Sequence, residues 1–291
     1  MTSRSPANPL AASGQVPARA SSKRKAAPIG PPPHDVGLLE EVGTGFLEVA
    51  GTLGGMAVLG GSILRRVFTL RIDGEELMRN LYKMGVKSAP IVIVTALFTG
   101  ALVVIQAAPL VVRLGAHGLL GWAAGFGILR EIAPLLTALM INGRVGANNT
   151  AELGTMVVTE QIDALRVLAI DPIAFLIAPR FIAMVMTLFL SSIFSDTLAL
   201  IGAAYGGYGL LGVEPRTFYN GMTLGLLGVN DVLSGIIKSV IFGVVMGLSS
   251  CHYGLSVKGG APGVGKAVNA TVVTSAAGIF VVDYFVSFTL N

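Results

Sequence analysis

The chain has 291 residues, 53% of them hydrophobic and only 12% charged, with a mean hydropathy of +0.75 and a net charge of +4. Soluble globular domains carry about 25% charged residues, so this composition excludes a soluble enzyme and defines an integral membrane protein. The single cysteine, Cys251, excludes a disulfide framework within the chain and has no second thiol with which to build a metal site.

Residues 1–36 are rich in Pro, Ala and Ser, carry Arg4, Arg19, Lys23, Arg24 and Lys25, and hold no acid before Asp35. This segment reads as a disordered basic tail on the cytoplasmic side. It lacks the apolar core and small-residue cleavage site of a secretory signal, and it shares its composition with organellar transit peptides. From residue 37 to 291 a single membrane domain is expected. Over residues 40–70 the apolar stretch Val49–Leu64 is only 16 residues long, is crowded with glycine and stops at Arg65 and Arg66. A span needs about 20 residues, so a helix lying in the cytoplasmic interface is expected here. Asp73–Lys87 is a charged amphipathic connector.

Five apolar runs follow, placing spans over 89–112, 119–141, 173–213, 232–253 and 267–290. The third is about 60 Å long as one helix, twice a hydrocarbon core, so it must project beyond the membrane. Lys and Arg cluster before the first span, between the second and third (Arg144, Arg166, Arg180), and between the fourth and fifth (Lys258, Lys266). The remaining two loops carry only Arg113 and Arg216. Five spans with the N-terminus in the cytoplasm and the C-terminus outside satisfy the positive-inside rule at every loop.

Between the second and third spans lies a polar island, residues 142–172. From Ala151 to Ala169 it holds no Pro and one Gly, and its apolar residues Leu153, Met156, Val157, Ile162, Leu165 and Leu168 recur at helical spacing. A helix over 151–169 is expected. Glu152, Glu160, Asp163 and Arg166 supply charge between them, and in this reading the helix docks a soluble partner.

Charged residues interrupt the apolar runs, among them Arg130 and Glu131 in the second span, Lys238 in the fourth and Asp283 in the fifth. A charge at the bilayer centre costs at least about 2.5 kcal/mol. Such residues line a polar cavity for a substrate with a charged head and an apolar remainder, or pair internally to fix helix packing. Gly260-Ala-Pro-Gly-Val-Gly265-Lys266 imitates a phosphate-binding loop, but Ala267 stands where the Mg²⁺-binding hydroxyl is required. A flexible turn explains it, and any ATP must be bound by another polypeptide. His34, His117 and His252 are scattered, and no Ser/His/Asp arrangement is evident. The chain reads as no enzyme on its own, with no cofactor and no metal. Gly121/Gly125, Gly202/Gly206 and Gly243/Gly247 have the spacing of close helix contacts.

The stretches GILREIAPLLTALMINGRVGANNTAELGTM, TEQIDALRVLAIDPIAFLIAPR and DVLSGIIKSVIFG, with GAPGVGKAVNATVV followed by Asp283, together resemble the MlaE/YrbE family, the permease subunits of MCE-type ABC lipid transporters. The similarity runs over roughly residues 40–291. It implies an all-α fold of an N-terminal interfacial helix and five transmembrane helices, working as a homodimer or with a paralogue. It implies a separate ATPase, held by a coupling helix at about 159–168 with Glu152, Glu160, Gln161, Asp163, Leu165 and Arg166 as its contact set. It further implies an MCE-domain protein on the opposite side, a phospholipid or related hydrophobic lipid as substrate, and Arg130, Glu131, Lys238 and Asp283 as cavity residues. The expected location is a bacterial inner membrane, with a plastid envelope as the alternative. A proton- or ion-coupled secondary transporter using Glu131, Lys238 and Asp283 as a relay is the rival reading, and a membrane scaffold without transport is another.

Overall fold

The computed structural model describes residues 38–68, 74–115, 117–223 and 227–290. The basic tail of residues 1–36 lies outside the described residues. All elements among the described residues are helical, and none is a strand. The chain divides into Met1–Leu47, whose described part is the start of the first helix, and Glu48–Asn291.

In chain order the helices are α1 (Leu38–Phe68), α2 (Gly74–Met84), α3 (Ala89–Leu114), α4 (Leu120–Gly127), α5 (Ala133–Ile141) and α6 (Ala147–Val158). They are followed by α7 (Gln161–Val167), α8 (Ala178–Leu211), α9 (Pro215–Met222), α10 (Val229–Leu255) and α11 (Gly260–Leu290). A 3₁₀ turn at Val86–Ser88 joins α2 to α3. Single π-helical turns at Ile128–Ile132, Asn142–Gly146 and Ile173–Ile177 lead into α5, α6 and α8. Six segments are long and apolar enough to cross a membrane: Gly43–Val67, Gly74–Leu114, Leu120–Val158, Ile173–Leu211, Val229–Leu255 and Gly260–Leu290. The first of these lies within α1. Its helix is longer than the 16-residue apolar stretch implied, because glycine at helix positions did not end it.

Two further boundaries differ from the sequence reading. The second span does not stop at residue 141. Asn142-Gly-Arg-Val-Gly146 is absorbed as a π turn rather than a break, and Asn142 Nδ2 donates to the Val272 carbonyl at 3.0 Å, so the helix runs on to Val158. The helix expected over 151–169 is therefore two elements, and the chain reverses its conformation at Thr159–Glu160. The supposed turn over 254–266 is also mostly helix: α11 starts at Gly260, so the segment imitating a phosphate-binding loop forms its first turns.

Long α8 is central. Its buried residues pack against α3 along much of its length, and against α10, α2 and α5. Small residues permit the approach. A Cβ on Gly100 would overlap the Ala199 carbonyl, and one on Gly202 would overlap that of Leu97. The Gly243/Gly247 pair lies against Val185 and Phe181, and Gly121 against the Phe218 carbonyl. The three glycine pairs thus mark the α3–α8, α8–α10 and α4–α9 contacts, as close packing in membranes favours. Large apolar side chains such as Phe98, Leu102, Phe280, Tyr284 and Phe288 remain exposed on α3 and α11. A membrane solvates such faces.

Candidate functional site

Lys238 lies ten residues into α10, where Ser234, Gly235, Ser239 and Phe242 are also buried. Its side chain is entirely withdrawn from solvent, and its Nζ meets Glu131 Oε2 at 2.5 Å and Asp283 Oδ1 at 3.1 Å. Glu131 stands in the π turn Ile128–Ile132, where one extra residue per turn changes the direction in which side chains project. Its other oxygen accepts a hydrogen bond from Ser287 Oγ of α11 at 3.1 Å. One ammonium and two carboxylates from three separate stretches of chain thus converge within the apolar spans. The trio is closed on the lysine side and open on the other: Glu131 keeps 38% of its side chain accessible, whereas Asp283 keeps 16%.

Arg130 does not join this trio. Its Nη1 pairs with Asp231 Oδ1 at 3.3 Å, Nη2 donates to the Leu290 carbonyl at 3.3 Å, and the guanidinium lies 5.3 Å from the Phe126 ring centroid. Asp231 also caps α10 by accepting from the Gly228 amide at 2.9 Å. The four expected cavity residues therefore fall into a triad and a neighbouring ion pair that ties α10 and the end of α11 to the second span. Asp231 escaped the sequence reading because it sits at a span boundary, where acids are unremarkable. Asp196 escaped it as well. It is buried in α8, makes no ion pair among the described residues, and was hidden among the serines and threonine of its own run.

The residues expected to contact an ATPase also divide. Glu152 points inward and is a hub: it pairs with Lys83 of α2, accepts from Asn148 Nδ2 at 2.7 Å, and meets Arg180 Nη1 of α8 at 3.4 Å. Arg180, itself buried, reaches Asn149 Oδ1 at 3.5 Å and lies against Met156. Of the expected contact set, Glu152 is thus the member tied by ion pairs to other helices. The remaining five lie on or beside α7. Ile162 is buried and anchors this short helix, and Leu165 is half-buried. Glu160, Gln161, Asp163 and Arg166 are exposed, with Asp163 and Arg166 paired at 2.7 Å. Beyond them Val167 is 87% and Leu168 68% exposed, a projecting apolar pair of which the helical periodicity had counted only Leu168. A recess of about 320 Å³ beside α7 is lined by Val157, Ile162, Ile173, Ile177 and Leu255, with Asp163 and Arg166 at its polar side.

Among the described residues, no group of three or more His, Cys, Asp or Glu could hold a metal ion. The chemistry available is electrostatic: a buried charge cluster in the spans and an exposed mixed polar and apolar knob at one end.

The chain is similar to known permeases. The profile of the family described as Permease MlaE matches residues 77–289. A probable ABC transporter permease protein of Synechocystis is 35% identical over 229 residues, covering 79% of this chain and 87% of that protein. A probable ABC transporter permease protein of Rickettsia typhi is 35% identical over 215 residues, covering 72% and 81%. The chloroplastic protein trigalactosyldiacylglycerol 1 of Arabidopsis thaliana is 33% identical over 230 residues, covering 79% and 65%.

Proposed function

This chain belongs to the MlaE permease family and is a multi-pass permease subunit of an ABC transporter, and from that premise we propose that its cargo is a lipid. The observation that carries the proposal is the Lys238–Glu131–Asp283 triad, three charged groups converging inside helices whose other faces are apolar. Charges held at that depth suit a molecule with a polar head and hydrocarbon tails. The accessible side of Glu131 is where such a head would meet the trio, with Arg130 and Asp231 alongside. The Arabidopsis relative bears the name of a galactosylated diacylglycerol, which supports a lipid of that general build.

An ABC permease works with an ATPase, and we assign its docking to α7: Glu160, Gln161, Asp163 and Arg166 as polar contacts, Leu165 as support, and Val167 and Leu168 as apolar anchors. Glu152 contributes by holding α6 against α2 and α8. Nucleotide-driven movement of the docked subunit would shift the spans between two arrangements through this connection. A second permease copy and an MCE-domain protein on the far side complete the assembly, in the cytoplasmic membrane of a bacterium with the tail inside. In this arrangement α1 lies in the interface. The relay reading of the same triad is set aside, since an ABC permease draws on ATP rather than an ion gradient.

Copurification with the ATPase, followed by reconstitution into vesicles with labelled phospholipid, tests the assignment. Lipid retained in the purified complex and ATP-dependent lipid movement are expected. A complex that hydrolyses ATP yet retains and moves no lipid would overturn it.

A further inference from the structure

A second cavity lies far along the chain from the triad residues, between α2, α3 and α8. It measures about 460 Å³, within the roughly 300–1,000 Å³ typical of small-ligand sites, and Leu81, Tyr82, Val92, Ile93, Leu190 and Phe194 give it an apolar wall. Thr187 and Ser191 of α8 also line it. Thr187 is 1% exposed, and its hydroxyl has no hydrogen-bond partner among the described residues. A helical threonine normally satisfies its hydroxyl on a carbonyl of the preceding turn, as Thr197 does on Ile193. A buried hydroxyl left without a partner costs about 1–3 kcal/mol, so this one points to an acceptor supplied from the groove. Gly85 of the groove lies beside this hydroxyl: a Cβ there would stand 3.7 Å from Thr187 Oγ1, in ordinary contact.

Charge identifies the occupant. Arg79 is committed to Glu76 and Lys83 to Glu152. Lys87, exposed between the groove-lining residues Val86 and Ala89, makes no ion pair among the described residues. It stands where α2 gives way to the first turn of α3. In the topology proposed above that level is the cytoplasmic headgroup region, whose leaflet is anionic.

We propose that this groove binds one anionic glycerophospholipid of the cytoplasmic leaflet, with an acyl chain along the apolar wall, an ester carbonyl accepting from Thr187 and the phosphate at Lys87. The site rests on the proposed sidedness of α2 and not on lipid transport, so the two can fail separately.

The test places a reporter in the groove. In a background where the single tryptophan, Trp122, is replaced by phenylalanine, Tyr82→Trp puts the fluorophore at the groove and Phe98→Trp puts it on an exposed part of α3. Each protein enters nanodiscs containing brominated phosphatidylglycerol or brominated phosphatidylcholine, without any ATPase. At position 82 the anionic lipid should quench with about fivefold preference, the effect of one lysine near an anionic surface. Position 98 should show no preference. Lys87→Gln should abolish the preference, and Thr187→Val should weaken quenching at 82 by both lipids. Equal quenching by the two lipids at 82, the same preference at 98, or a preference that survives Lys87→Gln would each overturn the site. Loss of ATP-driven lipid movement in reconstituted vesicles, with the quenching pattern intact, would instead count against the transport reading alone.

Discussion

Lys238 has no accessible surface and faces two carboxylates, one of them partly open, and this asymmetry determines what each substitution should do. Removing the lysine leaves Glu131 and Asp283 facing each other without a cation, and breaking a buried pair in this way costs about 3–5 kcal/mol. Lys238→Met should therefore lower the thermal stability and folded yield of the detergent-purified protein, followed by fluorescence-detected size exclusion. Combining it with Glu131→Gln and Asp283→Asn removes all three charges and should restore the fold while leaving lipid movement lost. Wild-type stability in Lys238→Met would show that no ionic bond holds the trio. The three members were each named from the sequence as charges that interrupt apolar runs, although the same signal at Asp196 passed unread among its hydroxyl neighbours. Their separation from Arg130 was not legible. Adjacent residues on a helix point about 100° apart, and the π turn alters that angle in a way no local residue signals.

Between α6 and α7 the chain turns on a residue poorly suited to its conformation. Glu160 has φ 58°, in the left-handed region that side chains other than glycine and asparagine avoid, and Ala169 repeats this at φ 57° after α7. The two positions bracket α7 and fix the angle at which Val167, Leu168 and the Asp163–Arg166 pair are presented. Sequence periodicity ran one helix through this point because Glu is a good helix former and no Gly marks the break. A left-handed side-chain residue costs roughly 1–2 kcal/mol, which separates geometry from chemistry at one site. Glu160→Gly relieves the strain and removes the charge, whereas Glu160→Ala removes the charge alone. Thermal stability should rise for Glu160→Gly and stay near wild type for Glu160→Ala. ATPase binding, followed by pull-down of the partner, should fall in both if the carboxylate is a contact. Retained binding in Glu160→Ala would confine the role of Glu160 to the backbone and leave docking to Asp163, Arg166 and the apolar pair.

The parity of the spans decides the orientation of the whole molecule. The sequence reading of five spans plus an interfacial helix rested on the shortness of Val49–Leu64, yet α1 is a 31-residue helix containing a segment long enough to cross. Arg65 and Arg66 stand at its end, and Arg66 pairs with Asp171 of the connection between α7 and α8 at 2.5 Å, which holds that end of α1 at the level of α7 whether or not α1 spans. Within the helix, Met56 and Ile63 are buried while Leu53, Val58 and Leu64 are exposed, a division into protein-facing and lipid-facing sides that suits a helix resting on the domain in the headgroup layer. An interfacial α1 leaves five spans and puts the two termini on opposite sides; a spanning α1 puts both outside. With Cys251 replaced by alanine, Ser13→Cys and Asn291→Cys report the two ends separately. An impermeant maleimide applied to intact cells stripped of their outer layers should label position 291, and should label position 13 only after permeabilisation. Labelling of both positions in intact cells would make α1 a sixth span and move the basic tail to the outer face. It would leave the triad, α7 and the groove on the sides assigned to them, because the five later spans satisfy the distribution of Lys and Arg by themselves.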